Sequence, residues 1–264
     1  MTETTECPMN RWHFPLKRLL RFLLGLFLRV EWGERELVPA EGPVVIYFNH
    51  SNWIDPLVAA AMVDREVAIM GKAQLFRVPI VRMVLRAYGV FPVRRQEGDL
   101  RAFRTALSVL ERGAVLIVAP EGTRSHDGVL QRGKPGMVYL ALRSDAWVQP
   151  VAILGVLEFR RHVRRLRRTP VQVRFGQPFK LPWGQGRPSH QEGLALIDEA
   201  MYKLAALMPP ELRGFYADAD VQVAALAACS ASAARGVDNQ FGGDNREYRG
   251  TPPAARGYRA SHPH

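Results

Sequence analysis

His50 and Asp55 lie five positions apart, directly after the apolar run Val44-Val45-Ile46-Tyr47-Phe48 and Asn49. An imidazole is the side chain that is neutral near pH 7 yet ready to accept a proton, which suits activation of a weak nucleophile such as an alcohol. A carboxylate on its far nitrogen fixes the tautomer and stabilises the imidazolium that forms. The pair also has a plain reading, with His50 bonded locally and Asp55 capping a helix. A second cluster, Glu121-Gly122-Thr123-Arg124-Ser125, follows another apolar run, Ala114 to Ala119. Its guanidinium is a planar fork that matches the oxygens of a phosphate.

Both clusters stand where a buried strand stops, and open α/β sheets place their ligands at such carboxyl ends. Residues 44–48 read as a strand opened by Pro43, and Pro56 suits the first turn of a helix running to Met62. Residues 67–70 read as a second strand. Residues 74–88 carry apolar groups at helical spacing, and Gly89 ends them. Val90 to Arg95 reads as a short strand or edge that leaves two adjacent cations. An amphipathic helix over 100–111, a strand over 114–119, a helix over 135–144 and a strand over 147–154 follow. A strand over 170–175 and a helix over 190–208 complete the domain, with Pro209-Pro210 at its end. Strands alternating with helices imply α/β architecture with both sheet faces covered.

The two ends differ from this middle. Residues 1–10 are polar, while residues 15–30 read as an amphipathic helix, with Lys17, Arg18, Arg21, Gly25 and Arg29 inside an arc of about 120°. The apolar run Phe22 to Leu28 is far short of the ~20 residues a spanning helix needs, and no signal-peptide cleavage site follows. Such a helix either lies in a membrane interface, apolar face in the acyl chains and cations at anionic headgroups, or packs on its own domain. From about Glu211 the sequence reads as a low-complexity tail, largely disordered, with a helix allowed at Val221 to Ala234.

A formal charge of +11, from 36 Lys and Arg against 25 Asp and Glu, favours an anionic partner. The six arginines within 160–168 are either a solvated hairpin or a contact for a phosphorylated or acidic partner. They lack the interleaved aromatics of a nucleic-acid platform, so no nucleic acid is expected. Cys7 and Cys229 are peripheral and imply no disulfide framework, and the terminal pair His262 and His264 makes a poor metal site. No Rossmann or Walker glycine pattern and no Gly-x-Ser-x-Gly elbow occurs, which argues against nucleotide hydrolysis, redox chemistry and serine hydrolysis.

Taken together, four blocks resemble the glycerolipid acyltransferase family, which includes the bacterial 1-acyl-glycerol-3-phosphate acyltransferases. Asn49-His50-Ser51-Asn52-Trp53-Ile54-Asp55 is similar to the first motif, and Gly89 to Arg95 to the second, with its arginine six residues after a glycine. Glu121-Gly122-Thr123-Arg124-Ser125 is the third, and Val148-Gln149-Pro150-Val151-Ala152-Ile153 resembles the fourth. The resemblance covers roughly residues 40 to 205. Arg94 departs from it, standing where family members often carry Asp.

The resemblance implies a mixed central sheet flanked by helices, with residues 1–31 a disordered start and membrane-association helix, 32–210 the acyltransferase domain and 211–264 the tail. It implies transfer of an acyl group from acyl-CoA or acyl carrier protein to 1-acyl-glycerol 3-phosphate, giving phosphatidic acid in phospholipid synthesis. His50 would be the base and Asp55 its partner; Arg95, Glu121, Gly122, Thr123 and Arg124 would bind substrate. Lys134 and Pro150 are further candidates, a solvated loop lysine being the plain reading of the first and a shaping role that of the second. No bound cofactor or metal is expected. The partners would be membrane phospholipids, the lysophospholipid acceptor and the thioester donor, at the cytoplasmic face of a membrane as a peripheral or monotopic protein. The same base would serve another lysophospholipid, glycerol 3-phosphate or a lyso-aminolipid. Outside the enzyme class stand a non-catalytic basic binder of nucleic acid and a membrane-surface protein with a degenerate site.

Overall fold

The apolar run after Pro43 becomes the centre of a seven-stranded sheet in the computed structural model, which describes residues 12–94, 99–184, 186 and 188–225. Expectations placed on residues 1–11, on Arg95 and on the tail beyond residue 225 lie outside the described residues. The strands are β1 (Leu28–Trp32), β2 (Val44–Phe48), β3 (Val67–Lys72), β4 (Val90–Val93), β5 (Val115–Val118), β6 (Trp147–Leu154) and β7 (Thr169–Phe175). The helices are α1 (His13–Phe27), α2 (Asp55–Met62), α3 (Pro79–Ala87), α4 (Leu100–Glu111), α5 (Gly136–Arg143), α6 (Phe159–Arg164) and α7 (His190–Ala205).

The strand order is β1-β7-β6-β2-β5-β3-β4. Strands β6, β2, β5, β3 and β4 are mutually parallel; β7 runs antiparallel to β6 and carries β1 parallel to itself. The sheet is therefore mixed. Every residue of β2 is buried, as continuous apolar runs in parallel sheets require. Val45 and Tyr47 face the core under α4, α5 and α7, while Val44, Ile46 and Phe48 face the core under α1 and α2. The chain leaves β2 towards α2 on one face and leaves β5 towards α5 on the other. The carboxyl ends of these two neighbouring strands thus open a crevice of the kind that holds ligands in α/β sheets.

Local chemistry sets the helix ends. Asp99 accepts from the amides of Arg101 and Ala102 at 3.1 Å and starts α4, while Ser189 and Glu192 form a reciprocal capping box on α7. Gly89 closes α3 with φ +93°, and a Cβ there would lie 2.5 Å from the Val67 carbonyl oxygen. Only glycine fits that approach of β4 to β3.

Three expectations are corrected. The N-terminal helix stops at Phe27, and Leu28–Trp32 is a strand because its backbone pairs with Thr169 to Val173. Six arginines at 160–168 do not make a hairpin: residues 159–164 form the short helix α6, in keeping with arginine's good helix propensity. The compact unit runs past Pro209-Pro210 to Ala224. Tyr216 and Ala219 are fully buried, and the Tyr216 hydroxyl donates to Asp198 and accepts from the Gly133 amide. Arg213 binds Asp220 at 2.6 Å, and residues 219–225 are helical.

The orientation of α1 also differs from the interfacial expectation. Lys17 is buried and donates to the carbonyls of Val63 and Arg65; Arg21 donates to the Ala61 carbonyl and pairs with Asp64. The end of α2 leaves carbonyls without intrahelical partners, and cations are drawn to a helix C-terminus. These two cations of the basic arc are therefore turned inward. Leu19, Phe22, Leu23 and Leu26 point outward, Phe22 being 65% exposed. Burial lowers the Lys17 ammonium to about 8, with Arg21 adding to the shift, and lowers His13 to about 4. Among the described residues no helix is long and apolar enough to cross a membrane.

Candidate active site

His50 sits just past the end of β2, and Asp55 opens α2 with Pro56 behind it. The Asp55 carboxylate is fully buried, and its Oδ2 lies 3.2 Å from His50 Nδ1. The same oxygen accepts from the amides of Ser51 at 2.7 Å and Asn52 at 2.6 Å. The five-residue spacing is thus one tight turn folded around a single carboxylate oxygen. Both the helix-start role and the imidazole partnership are present, so the plain and the chemical readings of Asp55 describe the same geometry. With Nδ1 on Asp55, Nε2 is the nitrogen left for chemistry.

The second cluster reaches the first through the backbone. Glu121 Oε1 accepts from the His50 amide at 2.7 Å, and Oε2 accepts from the Gln131 amide at 3.0 Å. The Ser125 amide donates to the His50 carbonyl at 2.7 Å. His50 is therefore clamped at both its amide and its carbonyl by residues more than seventy positions on. With 2% of its surface exposed, Glu121 spends both carboxylate oxygens on protein backbone. Burial pushes its carboxyl up to about 7, against the opposing pull of the two amides, and the nearby Asp55 adds to the rise.

Asn49 and Asn52, which the sequence reading gave no separate role, complete the frame. Asn49 Nδ2 donates to the Ile153 carbonyl at 2.9 Å and its Oδ1 accepts from the Ile153 amide at 2.8 Å, continuing the β2–β6 ladder with a side chain. Asn52 Nδ2 donates to the Val156 carbonyl at 2.9 Å. Asn49 and Ser125 were both inside the motifs; what the sequence lacked was their partners, which lie far along the chain.

A cavity of ≈ 170 Å³ opens at His50, walled by Met70, Val93, Ala119, Gly122 and Lys134 among others. The structure thus brings Lys134 and Gly122 beside His50. The Lys134 stem crosses Gly122, whose φ is +72° and where a Cβ would meet Lys134 Nζ at 3.0 Å. The Gly122 amide is taken by the Ala119 carbonyl at 3.1 Å, so it closes the turn and is not a free anion donor. Thr123 and Arg124 are exposed and outside the cavity wall. Pro150 is also away from it: buried in β6 opposite Tyr47, it packs towards Gly176. A larger cavity of ≈ 780 Å³ opens between α4, α5 and the stretch after Lys180, and of the expected site residues it holds none. Of the two, the smaller is the one that His50 lines, with Asp55 behind its ring at Nδ1. Among the described residues no group of three or more His, Cys, Asp or Glu could hold a metal ion.

The sequence model of the Acyltransferase family matches residues 29–154, the stretch that contains β1 to β6 and both clusters. That match takes in just under half of the chain. Curated proteins similar to this chain carry the name 1-acyl-sn-glycerol-3-phosphate acyltransferase. That of Borreliella burgdorferi is 30% identical over 140 residues, 52% of this chain and 55% of its own length. That of Bacillus subtilis is 28% identical over 137 residues, 52% of this chain and 68% of its own. The chloroplastic LPAT1 of Arabidopsis thaliana is 26% identical over 125 residues, 47% of this chain and 35% of its own. The chain thus spans about a third to little more than half the length of several of these relatives. The crystal structure of the 1-acyl-sn-glycerophosphate acyltransferase of Thermotoga maritima superposes with a TM-score of 0.57 at 24% identity, over 74% of this chain and 77% of that one. The chain therefore has the expected fold, with the residues of its first and third blocks at the carboxyl ends of β2 and β5.

Proposed function

We propose that this protein moves a fatty acyl group from an acyl thioester, of coenzyme A or acyl carrier protein, to the free hydroxyl of 1-acyl-glycerol 3-phosphate. The product is phosphatidic acid, made in phospholipid synthesis. The observation that carries the reading is the buried His50–Asp55 pair, 3.2 Å apart, at the wall of a cavity shared with Lys134.

His50 Nε2 takes the proton of the acceptor hydroxyl as its oxygen attacks the thioester carbonyl. Asp55 holds Nδ1–H and stabilises the imidazolium. The tetrahedral adduct collapses, the C–S bond breaks, and the imidazolium returns its proton to the thiolate. Oxygen and sulfur exchange one acyl group and one proton, so the base is regenerated without an acyl-enzyme. Lys134 at the cavity, together with Arg124 and Arg95, supplies the cations for the acceptor's phosphate. Asp55 and Glu121 act from behind the base. The outward apolar residues of α1 support peripheral attachment at the cytoplasmic face of a membrane, where acceptor and product are both found.

The acceptor is tested by supplying one labelled acyl thioester with lysophosphatidic acid or, separately, with lysophosphatidylcholine. Turnover confined to the phosphomonoester supports the assignment. Equal or preferential use of lysophosphatidylcholine would move the protein to another lysophospholipid acceptor.

A further inference from the structure

Helix α3 and the 3-10 turn Ala73–Arg77 before it show a surface that the acyl-transfer site does not use. No residue of α3 is buried. Ile80 is 72% exposed and Met83 66%, and Leu75, Val78 and Val84 are exposed beside them. Only Phe76 and Leu85 turn towards the core under the sheet. A monomer does not leave a helix of this composition bare without a use for it.

The charge of the segment says what covers it. Residues 72–87 contain Lys72, Arg77, Arg82 and Arg86 and no Asp or Glu. All four cations are exposed, and none forms an ion pair with a carboxylate among the described residues. Apolar side chains interleaved with uncompensated cations match the headgroup and acyl boundary of an anionic bilayer. On α1 the situation is the reverse: its apolar residues face outward while Lys17 and Arg21 are spent on the end of α2. The two helices meet, since the His13 ring at the start of α1 stacks on Tyr88 at the end of α3 with centroids 5.4 Å apart. Strand β3, whose Ile69 and Met70 line the His50 cavity, runs directly into the 3-10 turn.

We infer that α3 and its preceding turn dock on an anionic phospholipid surface, and that this segment, rather than α1, provides the electrostatic part of membrane attachment. Docking there places the bilayer against the strand that walls the cavity, so a lipid acceptor has a short path to His50. The inference deepens the peripheral attachment given above and does not depend on acyl transfer, because binding is measured without substrate.

The test is co-sedimentation of the full chain with vesicles of phosphatidylglycerol and phosphatidylcholine in equal parts, over a salt series, with circular dichroism to establish that each variant is folded. Each cation near an anionic surface contributes about fivefold to partitioning. The Arg77→Gln/Arg82→Gln/Arg86→Gln variant should therefore bind about 100-fold more weakly at low salt, with a much flatter salt dependence. Ile80→Ser/Met83→Ser should weaken binding at every salt concentration. Unchanged partitioning and salt dependence in the triple-arginine variant would overturn the inference. So would an Ile80→Ser/Met83→Ser variant that turns a dimer into a monomer while binding vesicles as before, since a second copy would then be the occupant. A protein that docks through α3 but transfers no acyl group would refute the proposed reaction and leave the docking surface standing.

Discussion

The Glu121 carboxylate accepts a hydrogen bond from the His50 amide at 2.7 Å, so the third motif holds the first in place. Because its other oxygen takes the Gln131 amide, removing the carboxylate orphans two backbone donors at once. Each unpaired donor costs about 1–3 kcal/mol. Glu121→Ala should lower kcat by about 100-fold with little change in the acceptor KM, since a displaced base harms the transition state more than binding. A variant that instead raised KM alone would show Glu121 to be a binding residue. Steady-state kinetics on a variant whose fold is verified by circular dichroism makes the distinction.

The same carboxylate predicts a pH effect on stability. Its folded-state value of about 7 lies above the ordinary 4.5, so the folded chain holds a proton that the unfolded chain has released. Glu121 therefore disfavours the folded state progressively as pH rises from about 4.5 to about 7. Thermal melts of wild type and Glu121→Gln across that window should differ in slope, with the wild type losing more stability. Parallel slopes would contradict the assignment of this shift to burial.

His13 acts in the opposite sense. Burial first, and Lys17 second, hold it near 4 instead of 6.5. The unfolded chain gains its proton before the folded chain does, so stability is lost as pH falls from about 6.5 towards 4. Hydrogen exchange along α1 should be faster at pH 5 than at pH 7.5, and His13→Phe, which keeps a ring against Tyr88, should reduce that difference. No difference in the wild type would contradict the buried neutral imidazole.

Gly89→Ala tests the second motif as architecture. With φ at +93° and the Val67 carbonyl oxygen 2.5 Å from the added carbon, β4 must shift away from β3. Strain of this kind costs about 2 kcal/mol or more, which lowers Tm by about 4–8 °C in a chain of this size. A Tm unchanged from wild type would mean that the backbone accommodates the methyl group.

Much of this architecture was legible because β2, β5 and β6 are dense apolar runs that end in polar residues, and a parallel sheet leaves that signature plainly. The spacing of His50 and Asp55 pointed to the pair because one tight turn brings them together. What failed to show was direction. A helical wheel separates the arc holding Lys17 and Arg21 from the leucines, but it cannot say that the carbonyls at the end of α2 would draw those cations inward. The hold of Glu121 on the His50 amide did not show either, because that partner is a backbone group that no side-chain pattern encodes. Leu28–Trp32 read as helix end and linker because its partner β7 lies far along the chain. Tyr216 was set outside the domain because Pro209-Pro210 stops a helix without ending a core.

The most direct test of the central claim is acyl transfer from a labelled acyl thioester to lysophosphatidic acid in detergent, wild type beside His50→Ala. His50 as the general base predicts labelled phosphatidic acid from the wild type and a loss of at least about 10³-fold in the variant. Equal product from both would contradict it.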